Sequence, residues 1–82
     1  MYYLYLLRCA DNSLYCGITT DVARRVHEHN SSLKGARYTC CRRPVVLVYT
    51  RVYKTRSRAQ SAEVRVKQMR KNEKERLIAV SR

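Results

Sequence analysis

The sequence predicts an α+β fold: a small three-stranded antiparallel sheet flanked by about three helices, in one domain spanning residues 1–82. Three observations carry this reading. Apolar and polar positions alternate through two short stretches between Tyr2 and Ile18 that are separated by a polar turn, the pattern of a hairpin. A compact apolar run, Val45-Val46-Leu47-Val48, marks a third strand. Apolar residues then recur at helical spacing between and after these strands. At 82 residues the chain has room for one thin core and not for two domains.

The first strand is expected over Tyr2–Cys9, with Tyr3, Tyr5 and Leu7 on one face and Leu4 and Leu6 on the other. Asp11-Asn12-Ser13 supplies the turn, because Asn and Asp tolerate left-handed backbone and bond their own chain. Leu14–Ile18 is the returning strand, and Gly17 lies near its end. A helix follows to about Asn30, with Thr20 as its cap and Asp21 suiting its positive first turn. Val22 and Val26 form its buried stripe; Arg25 and His29, one turn apart, fall on the edge of that stripe, and Arg24, His27 and Glu28 point toward water. Ser31–Pro44 is the longest irregular stretch. Its Lys34, Arg37, Tyr38, Arg42 and Arg43 can lie along a phosphate backbone or simply face solvent.

Val45 to about Tyr53 is the third strand, and its unbroken apolar start suggests a central strand covered on both faces. Ser57 and Gln60 have the spacing of a capping box for the second helix, whose inward stripe is Ala59, Ala62, Val66 and Met69. Asn72, with Glu75 three residues on, is expected to cap a third helix with Leu77, Ile78 and Val80 inward.

Eighteen Lys and Arg against six Asp and Glu give a formal net charge of +12. So lopsided a charge on a small body repels itself and suits a polyanionic partner, with nucleic acid first. No stretch is long and apolar enough to span a bilayer, and none resembles a secretory signal. The four cysteines, Cys9, Cys16, Cys40 and Cys41, lack C-x-x-C spacing and are expected to be reduced thiols in a cytoplasmic protein.

Glu63 is the most informative carboxylate, alone among eight basic residues between Arg51 and Lys71. It reads either as an ion-pair partner of Lys67 or as a ligand for a hard divalent cation, which needs one or two protein carboxylates and fills its sphere with water and phosphate. Arg25 can cover apolar surface with its stem or match phosphate oxygens with its fork. His29 can be a packed histidine or can handle a proton. Tyr5 and Tyr15 lie within cross-strand reach, and a phenol beside Arg25 and a metal could have a lowered pKa and act as a base.

Taken in order, these residues resemble the GIY-YIG nuclease family over nearly the whole chain. Tyr3-Leu4-Tyr5 stands at the first tract and Tyr15-Cys16-Gly17 at the second. The helix with Arg25 and His29, and Lys34-Gly35-Ala36-Arg37-Tyr38-Thr39 with Arg43-Pro44-Val45, resemble small stand-alone bacterial members. Three features depart from the pattern: Tyr3-Leu4 replaces the glycine and isoleucine of the first tract, Cys16 replaces a β-branched residue, and the Asn that some members carry near the end of the domain has no placed counterpart, since Asn72 reads as a helix cap. The resemblance implies that Tyr5, Tyr15, Arg25 and His29 are catalytic. It also implies that Glu63 holds one Mg²⁺ or Mn²⁺, and that the reaction is phosphodiester hydrolysis, of DNA rather than RNA. The 82 residues leave no space for a second, targeting domain. Catalytic residues without such a domain imply either weak, structure-selective cutting or an unknown protein partner for targeting, and the expected form is a monomer. The competing expectation is a basic binding module that keeps the fold without cutting.

Overall fold

The computed structural model describes residues 1–31 and 42–80. Strand β1 (Tyr2–Arg8) pairs with β2 (Leu14–Thr19) on one side and β3 (Val46–Tyr53) on the other, both antiparallel. Helix α1 (Val22–Ser31) lies between β2 and β3 in the chain, and α2 (Arg56–Gln68) and α3 (Lys71–Val80) follow β3. The fold class is thus the expected one.

The strand order is β2-β1-β3, which corrects the expectation that the third strand is central. β1 holds that place, and four successive residues, Leu4 to Leu7, are buried there. β3 is an edge strand, with Val46 60% and Leu47 39% exposed. A short apolar run has no period to separate a doubly covered strand from an exposed edge. Val48 is the extra residue where the β1–β3 register shifts between Leu6 and Leu7, which breaks any alternation there.

Alternation along β1 divides the core into two layers. Leu4 and Leu6 join Leu14 and Cys16 of β2 against Ala62, Val66 and Ile78 of the C-terminal helices. Tyr5, Leu7 and Cys9 join Val45, with Tyr15 and Val26 packed beside them. The inward stripe of α2 is as expected through Ala59, Ala62 and Val66, and Met69 packs on the same core. In α3, Ile78 is buried but Val80 is 79% exposed, so Val80 does not belong to the inner face.

The helix starts differ from the sequence reading by a residue or two. Asp21, not Thr20, caps α1: its carboxylate accepts from the Arg24 N–H, and the Thr19 hydroxyl accepts from the Asp21 N–H. Thr55, not Ser57, caps α2 through the Arg58 N–H, because extended backbone places its hydroxyl under the first turn. At α3 the reciprocal bond comes from Glu73, whose carboxylate accepts from the Arg70 N–H, while Asn72 is already inside the helix. Glu75 is thereby released to pair with Arg8, at 2.7 Å and 2.5 Å through both guanidinium nitrogens, and fastens α3 to β1. Arg8 holds the Glu75 carboxyl down to about 2.

Candidate active site

Tyr5 lies directly opposite Gly17 in the β1–β2 ladder, and Leu7 opposite Tyr15. Paired residues share a face, so Tyr5 and Tyr15 project into the layer where α1 packs. Gly17 is what lets the Tyr5 ring lie flat across β2. A Cβ at that position would stand 2.5 Å from the Tyr5 hydroxyl oxygen and 2.7 Å from its ζ carbon.

Helix α1 brings Arg25 and His29 onto this cluster. The Tyr5 hydroxyl and His29 Nε2 are 3.0 Å apart, in a bond fully removed from solvent. The Tyr15 and His29 rings meet edge to face at 5.1 Å, and the Tyr5 and Tyr15 rings are 6.4 Å apart. Arg25 is hydrogen-bonded to the Tyr5 hydroxyl and places Nη1 3.0 Å from Glu28 Oε1. A guanidinium only donates, so the Tyr5 oxygen accepts from Arg25, and the same hydroxyl shares a hydrogen bond with His29 Nε2.

Ionisation within the cluster follows from burial. Burial raises the Tyr5 phenol to about 12, although the Arg25 bond pulls the other way. This corrects the expectation of a lowered phenol pKa at Tyr5: the cost of placing a phenolate among Leu7, Cys9 and Val45 exceeds what one guanidinium returns. Burial, helped by the Arg25 charge, lowers His29 to about 4. At Arg25 burial opposes the charge, but the bonds to Glu28 and Tyr5 outweigh it and the pKa rises. Near neutrality the site is therefore a phenol, a neutral imidazole and a fixed cation.

These shifts set a stability window. The folded state resists protonating His29, so stability is complete above pH 6.5 and falls as the pH drops toward 4. At about 1.4 kcal/mol per pH unit, this window accounts for at most about 3 kcal/mol. Tyr5 acts at the other end, where stability falls from pH 10 to about 12 as the unfolded chain ionises first. Urea midpoints measured from pH 8 to pH 4 are expected to fall in the wild type and to flatten in His29→Gln. An equal slope in both proteins would assign the acid loss to another group.

Two residues that sequence reasoning passed over complete the cluster. Glu28 does not point to water; its side chain is 20% exposed and holds Arg25. Its (i, i+3) spacing from Arg25 was the available signal. Asn30 accepts from the Val45 N–H at 2.7 Å and donates to the Val45 carbonyl at 3.1 Å, so it ties the end of α1 to the entrance of β3.

Of the five residues expected along a phosphate backbone, Lys34, Arg37 and Tyr38 lie outside the described residues. Arg42 pairs with Asp11 at 3.1 Å. Arg43 donates from Nε to the His29 carbonyl at 2.6 Å. Both arginines thus fasten the approach to β3 onto the β1–β2 turn and α1.

Glu63 is in the other layer. It stands on the flank of α2 that faces β2, where its charge acts on the Cys16 thiol, and it pairs with Lys67 at 3.5 Å. Tyr15 and Cys16 are adjacent but point to opposite faces of β2, so this edge strand lies between Glu63 and the tyrosine–histidine cluster. Among the described residues no group of three or more His, Cys, Asp or Glu side chains converges on a metal position. A lone, partly exposed carboxylate suits a hard divalent ion that keeps most of its water, and does not suit a caged or thiolate-bound metal.

The profile of the GIY-YIG catalytic domain matches residues 1–76. The chain belongs to the GIY-YIG family. Its GIY-YIG relatives include the UPF0213 protein DP2720 of Desulfotalea psychrophila, 50% identical over 80 residues, with 98% of this chain and 73% of that protein covered. The UPF0213 protein YhbQ of Escherichia coli is 50% identical over 78 residues, covering 95% of this chain and 77% of YhbQ. The solution NMR structure of the UPF0213 protein BH0048 from Bacillus halodurans superposes with a TM-score of 0.63 at 42% identity, covering 98% of this chain and 85% of that one. The Tyr5, Tyr15, Arg25 and His29 cluster thus sits in a nuclease-type domain, on the strands and helix that carry the GIY-YIG tracts. No helix among the described residues is long and apolar enough to cross a membrane.

Proposed function

We propose that this domain is a metal-dependent endonuclease that hydrolyses phosphodiester bonds in nucleic acid, DNA in preference to RNA. The observation that supports it is the convergence of Arg25, Tyr15, Tyr5 and His29 from three separate elements into one bonded group. In this reading Arg25 contacts the scissile phosphate and offsets the charge that builds on its oxygens. Tyr15 is half-buried, whereas Tyr5 and His29 are 1% and 0% exposed. Tyr5 and His29 therefore serve as positioning residues: the protonated phenol and the neutral imidazole fix the Arg25 head and the Tyr15 ring. Water forms the new bond to phosphorus as one bond from phosphorus to a sugar oxygen breaks. The proton that water loses balances the proton that the sugar oxygen gains.

Glu63 is the residue that would hold the Mg²⁺ or Mn²⁺, with substrate phosphate and water as the other ligands. Such an ion, when bound, polarises the phosphate and eases departure of the sugar oxygen. Substrate would then have to meet both layers at the β2 edge. The test is cleavage of branched and single-stranded DNA with and without Mn²⁺. Glu63→Gln is expected to lower the rate at least a hundredfold while leaving DNA affinity within about threefold. Cutting that persists unchanged in Glu63→Gln would remove the metal role.

The position of Glu63 across β2, already paired with Lys67, supports a second reading: a binding module that engages nucleic acid without hydrolysis. It predicts salt-sensitive binding indifferent to Mn²⁺. Targeting by a protein partner belongs to either reading.

A further inference from the structure

Among the described residues, arginines on β3 and α2 differ in their partners from Arg25, Arg42 and Arg43 beside α1. On the α1 side, Arg25 and Arg42 are each held by a carboxylate, and Arg43 by a carbonyl. Among the described residues, the arginines of β3 and α2 have no such partners. Arg51, Arg58 and Arg65 are exposed, and among the described residues none has a carboxylate within ion-pair distance.

Helical spacing sorts α2 into two flanks. Glu63 and Lys67 share the flank toward β2, whereas Arg58 and Arg65, seven residues apart, share the opposite flank. That second flank faces β3, where Arg51 and Arg65 line one cleft of about 220 Å³ together with Tyr49 and Tyr53. The Arg51 guanidinium lies over the Tyr53 ring, 5.7 Å from its centre. The cleft therefore has apolar core side chains such as Leu4, Ala62 and Val66 beneath it, with tyrosine rings and the exposed Arg51 and Arg65 heads around it.

We propose that this cleft is a second nucleic-acid contact, separate from the active site, which takes a single-stranded segment with a base against Tyr53 and Arg51 and its flanking phosphates on Arg65 and Arg58. Single strands bind to this combination of stacking platform and cationic groove, whereas a duplex keeps its base faces covered. An anionic membrane would use the charge but not the recessed ring. The proposal rests on the reading above only for the class of polyanion, since the cleft needs no hydrolysis. A strand held here approaches from the β3 edge, opposite the β2 edge where Glu63 stands. The domain would then hold substrate at both edges of its sheet.

The test is fluorescence anisotropy of the full chain with a labelled single-stranded oligothymidylate, titrated across salt concentrations. Arg58→Gln/Arg65→Gln is expected to weaken binding at least tenfold and to lower the slope of log affinity on log salt by about 1.4, for two lost phosphate contacts. Arg24→Gln, on the α1 side, is the charge-removing control, one charge against two, and should change affinity less than threefold. Tyr53→Leu should weaken binding with little change in slope. A double variant that binds like Arg24→Gln, or one that loses only phosphatidylserine-vesicle binding, overturns the proposal. Cleavage assays on the same proteins separate the two claims. Absence of cutting with the slope change intact removes the nuclease reading and leaves the cleft; intact cutting with an unchanged slope does the reverse.

Discussion

Gly17→Ala is expected to destabilise the fold by about 2–3 kcal/mol, a large effect for a single methyl group. The added carbon would lie within 2.7 Å of two atoms of the Tyr5 side chain. Tyr5 is 1% exposed and bonded to His29 and Arg25, so it has no free volume into which to withdraw. Backbone conformation is not the reason for glycine here, because no glycine among the described residues has positive φ. In an ordinary strand alanine would be the better residue. The cost is therefore assigned to one contact, and a double-mutant cycle isolates it. In a Tyr5→Leu background, where no ring crosses β2, Gly17→Ala should cost less than about 1 kcal/mol. An equal cost in both backgrounds, read from urea unfolding, would mean that the glycine serves the backbone and not the ring. The same variant should also disturb the Tyr5–His29 bond, so the acid limb of the stability curve is expected to change with it.

Most of this arrangement was legible in the sequence, and what was missed has identifiable physical causes. Alternation gave Tyr3, Tyr5 and Leu7 one face of β1, and Leu4 and Leu6 the other, because period two is imposed by the pleat. The (i, i+4) spacing of Arg25 and His29 placed them on one side of α1. The strand order could not be read. Val45-Val46-Leu47-Val48 is more apolar than much of β1, yet it starts an edge strand, since order is decided by which strand α2 and the hairpin can both reach. The helix caps moved by one or two residues because Ser57 and Asn72 have suitable side chains but already helical backbone. The pKa of Tyr5 was misjudged in sign. Sequence shows that Arg25 can reach it, but not that Leu7, Cys9 and Val45 exclude water from it. Glu28 was assigned to solvent from its wheel position, although the side chain bends back three residues to Arg25.

Arg25→Lys is expected to lower cleavage about a hundredfold to a thousandfold while changing stability by less than about 1 kcal/mol. The charge is conserved in this variant, so the loss measures geometry. Arg25 uses one planar head for several tasks: Nη1 holds Glu28, the same head bonds the Tyr5 oxygen, and in the proposed reaction it also grips the phosphate. A lysine ammonium is a point charge on a flexible stem and cannot hold Glu28 and Tyr5 at fixed separation while offering a two-point grip on phosphate oxygens. The loss should fall on the single-turnover rate more than on substrate affinity, because the contact strengthens as charge develops. Glu28→Gln provides the companion measurement. It keeps the shape and a hydrogen-bond acceptor but removes the charge that opposes Arg25 at His29, so the His29 pKa should fall further below about 4. Its rate should drop about tenfold, between wild type and Arg25→Lys, if Glu28 acts through Arg25. The double variant should then be no slower than Arg25→Lys alone. Independent, multiplying losses in the double variant would show that Glu28 has its own contact with substrate. A single-turnover rate for Arg25→Lys within threefold of wild type would remove the guanidinium from the centre of the chemistry.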